Sequence, residues 1–126
     1  MKRMAPRFTI TADPALNLVT IVIGGFFAQP AIDAFERERD VAHRKLRCGP
    51  NQHLTLVDMR EMMIQYQDAI VGFQRVLNNP ATQSKRIAIV TSKTLARMQV
   101  ERAAERRDVQ YFSGEMAEAQ EWLLAG

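Results

Sequence analysis

The run His53-Leu54-Thr55-Leu56-Val57-Asp58 constrains this chain more than any other stretch. It is short and apolar, as a buried strand is, and it ends on a carboxylate just before a helix-periodic segment opens at Met59-Arg60-Glu61. Comparable apolar runs lie at Leu18 to Ile23, Ile87 to Val90 and Val109 to Phe112. Amphipathic segments follow most of them. Strands alternating with helices in this way make layered α/β folds, with a largely parallel sheet and right-handed crossovers.

In chain order, Phe8 to Ala12 alternates like a half-buried strand, and Asp13-Pro14 with Asn17 supplies a turn into Leu18 to Ile23. The two read as a hairpin, with the first strand at the sheet edge and the second, rich in β-branched residues, inside it. Gly24-Gly25 ends the second strand. Pro30 suits the first turn of a helix, where its missing N–H has no intrahelical partner. Ile32, Phe35, Arg39, Ala42 and Leu46 then share one face, apolar except for the Arg39 stem, until Gly49-Pro50 supplies a stop. In the next helix Met63, Tyr66, Ile70, Phe73 and Leu77 form the apolar face, Gln65 and Asp68 fall off it, and Asn78-Asn79-Pro80 closes it. Leu95, Met98, Val100 and Ala103 mark a third helix. Ser113 is placed to cap a fourth, with Met116, Ala119, Trp122 and Leu123 on its apolar side. The order is β-β-α-β-α-β-α-β-α, a single domain over residues 1–126.

Composition narrows the functional classes. A chain of 126 residues with 47% apolar and 25% charged residues has the make-up of an ordinary globular domain. The net charge of +3 is modest and its charges are interspersed, which favours solvated helix faces over a nucleic-acid stripe. Cys48 is the single cysteine and has no Cys or His cluster around it, so disulfide and structural-zinc frameworks are not expected. No apolar run reaches the ~20 residues of a membrane span, and no signal-like core follows Met1-Lys2-Arg3. The expectation is a cytoplasmic chain with no cofactor and no integral membrane segment.

In parallel sheets, ligands meet the loops beyond the carboxyl ends of the strands. Those loops here are 24–29, 58–64, 91–94 and 113–115. Asp58 and Arg60 either form a recognition point there, or Asp58 caps the next helix or pairs with Arg60 or Lys93. Thr91, Ser92 and Lys93 combine hydroxyls, a cation and a helix start, which suits either a cap or an anion site, but no P-loop glycines precede them. Phe26, after the double glycine, either faces a ligand or fills the core. Met59, Met62 and Met63 offer an adaptable apolar surface, or plain core filling. His43 and His53 lie far apart in sequence and read as a solvated helix residue and a strand-entry residue.

The element order, the length and the Leu56-Val57-Asp58-Met59-Arg60 ending of the third strand together resemble a STAS domain of the SpoIIAA-like single-domain kind. The resemblance implies successive β-α turns and a non-enzymatic regulatory or ligand-binding module, with an association surface around the second helix. In such domains a phosphorylatable serine follows the aspartate. Met59, Arg60 and Glu61 stand in its place here, so a phosphoswitch is not expected. The expected binding residues are Asp58, Met59, Arg60, Met63, Thr91, Ser92, Lys93 and Phe26, facing a protein partner or a small apolar or anionic ligand. An exposed helix face leaves a homodimer open. The alternative is a small enzyme using Asp58 as base with Arg60 or Lys93 as an anion clamp.

Overall fold

A computed structural model describes residues 5–91, 98 and 109–125. Five strands form one mixed sheet in sequential order: β1 (Arg7–Asp13), β2 (Leu18–Gly25), β3 (Leu54–Met62), β4 (Arg86–Thr91) and β5 (Val109–Ser113). β1 runs antiparallel to β2 and all other pairs are parallel, so β1 is an edge and β3 lies at the centre. The described helices are α1 (Gln29–Arg44), α2 (Gln67–Leu77) and α3 (Met116–Ala125). The expected Leu95–Ala103 helix, Ser92 and Lys93 fall outside the described residues, Met98 apart.

Local chemistry accounts for the main turns. Asp13 Oδ1 accepts the N–H groups of Ala15 and Leu16 at 3.0 and 3.3 Å, and Asn17 takes a left-handed φ of 50°, which closes the β1–β2 hairpin. Pro30 occupies the first turn of α1. That helix stops at Arg44, well before Gly49-Pro50, with the Lys45 N–H bonded back to the Ala42 carbonyl and the Leu46 N–H to that of His43.

The two sheet faces bury different sets. Val19, Ile21, Val57, Ile87 and Ile89 pack toward Phe27, Ile32 and Phe35 on the α1/α2 side. Leu18, Leu56, Ala88 and Val90 pack toward Ala119 and Leu123 of α3 on the other. α1 comes close to β1, and α3 to β3, β4 and β5, whereas α2 comes comparably close only to α1. There a Cβ on Gly72 would lie 2.9 Å from both Gln29 Oε1 and Ile32 Cδ1, so any larger residue must displace the ends of those two side chains. α2 thus leans on its neighbour helix and leaves a gap above the sheet.

β3 runs four residues beyond the expected end at Asp58, and Met59-Arg60-Glu61-Met62 is strand where a helix start was expected. Pairing with β2 slips between Val22 and Gly24: Val22 pairs with Asp58 but Gly24 with Glu61, so β3 carries one extra residue. Such a bulge reverses the alternation of side chains beyond it. Met59 and Met62, three apart, therefore reach the same α1/α2 face. The spacing that reads as helical is that of a bulged strand.

Candidate functional site

The gap beneath α2 is a cavity of about 110 Å³. Its floor is Ile21, Val57, Ile87 and Ile89 of the sheet, and its roof is Ile70, Phe73 and Val76 of α2. At the carboxyl ends of the strands it is lined by Met59, Met62 and Met63. At the amino ends Arg39, His43, Thr55, Thr82 and Ser84 line it. It is an apolar chamber with a methionine pole and a polar pole.

The polar pole gathers residues from three elements. Arg39 lies on the inward stripe of α1 and is only 7% exposed, guanidinium included. Its Nη1 donates to the Val76 carbonyl at 3.2 Å, and its Nη2 lies 3.3 Å from Asp40 and 3.8 Å from Glu36. Its Nε, fully buried, has no hydrogen-bond partner among the described residues. One turn further along α1, His43 meets His53 with ring centroids 4.3 Å apart. Burial, and secondarily the Arg39 charge, push the His43 pKa below its usual value, against a smaller pull upward from Asp40. His53 Nε2 lies 3.1 Å from Ser84 Oγ, which is hydrogen-bonded in turn to Thr55 Oγ1. His43, half-buried, is not the solvated side chain expected, whereas His53, at 4% exposure, lies directly before β3 as a strand-entry residue. The sequence signal for this pole was Arg39 and His43 at four-residue spacing on an otherwise apolar stripe.

Gln65 organises the opposite end. Expected to lie off the apolar face of a helix, it precedes α2 instead and is buried. Its Oε1 accepts the Phe27 N–H at 2.8 Å, and its Nε2 donates to the carbonyls of Gly25 at 2.9 Å and Met63 at 2.6 Å. One amide thereby ties the loop after β2 to the loop after β3. Phe26 sits on the outside of this junction, stacked on Tyr66 with centroids 6.2 Å apart.

The expected binding residues do not form one group. Met59 and Met63 line the cavity, but Asp58 and Arg60 belong to the other side of the sheet, toward the turn before α3. Arg60 Nε and Nη2 bind the two Asp58 oxygens at 2.9 and 2.8 Å, and Nη1 reaches the Gly114 carbonyl at 3.2 Å. The hydrogen bonds from the Arg60 side chain hold the Asp58 carboxyl below its usual pKa and outweigh partial burial. Of the alternatives open in the sequence, the pairing of Asp58 with Arg60 is the one formed. Thr91 is the last residue of β4 and 3% exposed, inside the sheet and not on a loop rim. Ser113, expected as a helix cap, ends β5.

Among the described residues no group of three or more His, Cys, Asp or Glu side chains could hold a metal ion, and no helix is long and apolar enough to cross a membrane. No protein family, no curated protein and no solved structure matches this chain.

Proposed function

We propose that this protein is a non-enzymatic ligand-binding module, STAS-like in layout, whose site is the chamber between the sheet and the α1/α2 layer. The observation that carries the reading is the cavity itself. It offers about 110 Å³ of space walled almost entirely by apolar side chains, which an apolar guest fills better than water does. Arg39 is among the lining residues, and its buried Nε has no hydrogen-bond partner among the described residues, at a cost on the order of 1–3 kcal/mol. Unfilled apolar space and an unsatisfied buried donor in one region support a site kept for function at the expense of stability. An apolar chamber of this order of size has room for a single aromatic ring, since a cavity of about 150 Å³ lined by Leu, Ile and Phe binds benzene. The three methionines give its mouth side chains that re-pack around different shapes.

The enzyme alternative has less support. A carboxylate held through both oxygens by a guanidinium, with its pKa lowered, is a weaker proton acceptor, and the same guanidinium is committed as an anion clamp. A regulatory role fits the Gln65 junction, which connects the methionine end of the cavity to the half-buried Phe26 and, stacked on it, the exposed Tyr66.

The test is a titration of the full chain, carrying 13C-methyl methionine, with toluene. The Met59, Met62 and Met63 methyl signals shift together, while Met116, the first residue of α3 on the other side of the sheet, stays in place. Saturating toluene that leaves all three unmoved overturns the assignment.

A further inference from the structure

We infer that the free edge of β1 is a self-association site, where two copies of this chain join β1 against β1, antiparallel about a two-fold axis at Ile10, so that their sheets become continuous. The inference stands apart from the chamber, and either can fail without the other.

The edge is built to pair. β1 is the first strand of the sheet, and among the described residues no strand lies on its outer side. Alternate N–H and C=O groups of such a strand point outward without a ladder partner. Shortness, a bulge or a central charge ordinarily protects an edge of this kind. β1 has none of the three: it runs for seven residues, it pairs with β2 without a register shift, and Phe8 to Ala12 carries no charge. Thr9, Ile10 and Thr11 at its middle are all β-branched, which suits a strand. Phe8 packs edge-on to Phe35 at 5.5 Å and stacks on Phe27, so the strand is held in place before any partner arrives. Pro6 and Pro14, which have no N–H to donate, bound the segment at both ends.

Charge selects the occupant. Arg7, Thr9, Thr11 and Asp13 are exposed, whereas Phe8, Ile10 and Ala12 are half-buried against the α1/α2-side core. A two-fold axis perpendicular to the sheet keeps each set on its own face, and only when centred on Ile10 does it give every residue from Arg7 to Asp13 an opposite number. Arg7 then faces Asp13 of the second copy at both ends of the interface, and Thr9 faces Thr11 of the second copy. Opposite charges and paired threonines both favour this alignment. Within one chain Arg7 and Asp13 stand about 20 Å apart along the strand, too far to serve each other. Arg7 reaches Glu61 only at 3.8 Å, with both side chains exposed, and so loose a pair opposes the exchange little. A strand that is complementary to itself in this way fits a second copy in an isologous dimer.

The experiment is sedimentation equilibrium of the full chain from about 1 µM to about 1 mM, which shows a reversible monomer–dimer equilibrium. Arg7→Glu sets two carboxylates face to face at each end and raises the dimer Kd about tenfold. Adding Asp13→Asn, whose amide oxygen still serves the turn, relieves that repulsion and lowers the Kd of the Arg7→Glu chain about threefold. Amide hydrogen exchange of the unaltered chain supplies a second readout: the β1 amides that point away from β2 exchange fast in the monomer and are protected in the dimer. If Arg7→Glu does not fold, this exchange pattern decides alone. A monomer at every concentration, growth past the dimer, or a dimer whose β1 amides stay unprotected overturns the inference. So does a Kd indifferent to Arg7→Glu, or a double variant that binds no better than the single one.

Discussion

Single side chains at the two poles of the chamber do work that their positions in sequence only partly reveal. Arg39 and Asp58–Arg60 were legible, the first as the lone charge on an apolar helix stripe, the second as a candidate pair two residues apart, although Arg60 was expected beyond the strand end and not on β3. The meeting of His43 with His53 was not, because the loop between α1 and β3 brings them together and no local spacing encodes it. The lowered His43 pKa makes the unfolded chain bind more protons than the folded one in mildly acidic solution, so stability falls as pH drops through the usual value of 6.5 and levels off once the folded-state pKa is passed. Urea midpoints measured from pH 7.5 to about pH 5 will show this decline, and His43→Gln will flatten it. Asp58, with its pKa lowered by Arg60, has the opposite sense: its contribution is present above 3.8 and is lost only as pH falls further. At the other pole, Gln65→Leu leaves the Phe27 N–H and two carbonyls without their partner. The expected cost is about 2–4 kcal/mol, read as a lowered urea midpoint with an unchanged slope.

Among the elements, β3 and α2 show where pattern reading fails and why. Strand alternation and the apolar faces of α1 and α3 follow rules of period two and 3.6, and these were recovered from sequence. The doubled residue of β3 breaks period two locally, and Met59, Met62 and Met63 then imitate a helix turn. Only the pairing partner, β2, distinguishes the two, and that information is non-local. Gly24 shows the same dependence: a Cβ there would lie 2.9 Å from the Glu61 Cβ, so the strands close over the irregularity only with glycine. Gly72 carries the matching constraint between helices. Gly72→Val should lower stability by about 1–3 kcal/mol through overpacking against Ile32, measured by chemical denaturation. A variant as stable as the parent would mean that α2 shifts freely toward the sheet, at the expense of the chamber.

At the scale of the whole molecule, the alternation of runs gave a layered α/β fold with β1 at the sheet edge, whereas the sequential strand order and the placing of α1 and α2 on one face and α3 on the other come from the structure. The chamber was not legible, because a void is defined by what fails to fill it and depends on α2 being propped by α1. Its presence sets stability against binding. Val57→Ile adds one methylene to the floor and should stabilise the chain by up to about 1 kcal/mol while weakening toluene binding in the methionine titration. In the parent, toluene at a hundred times its Kd should add about 2.7 kcal/mol, seen as a raised thermal midpoint that Val57→Ile diminishes.

Because one buried amide, that of Gln65, grips both the Gly25–Phe27 backbone and the Met63 carbonyl, the two loops behave as a single lever. On the proposed reading, a guest that displaces Met63 from within should shift the Phe26–Tyr66 stack through that amide. Occupancy of the hollow should then be readable at the exposed Tyr66 ring.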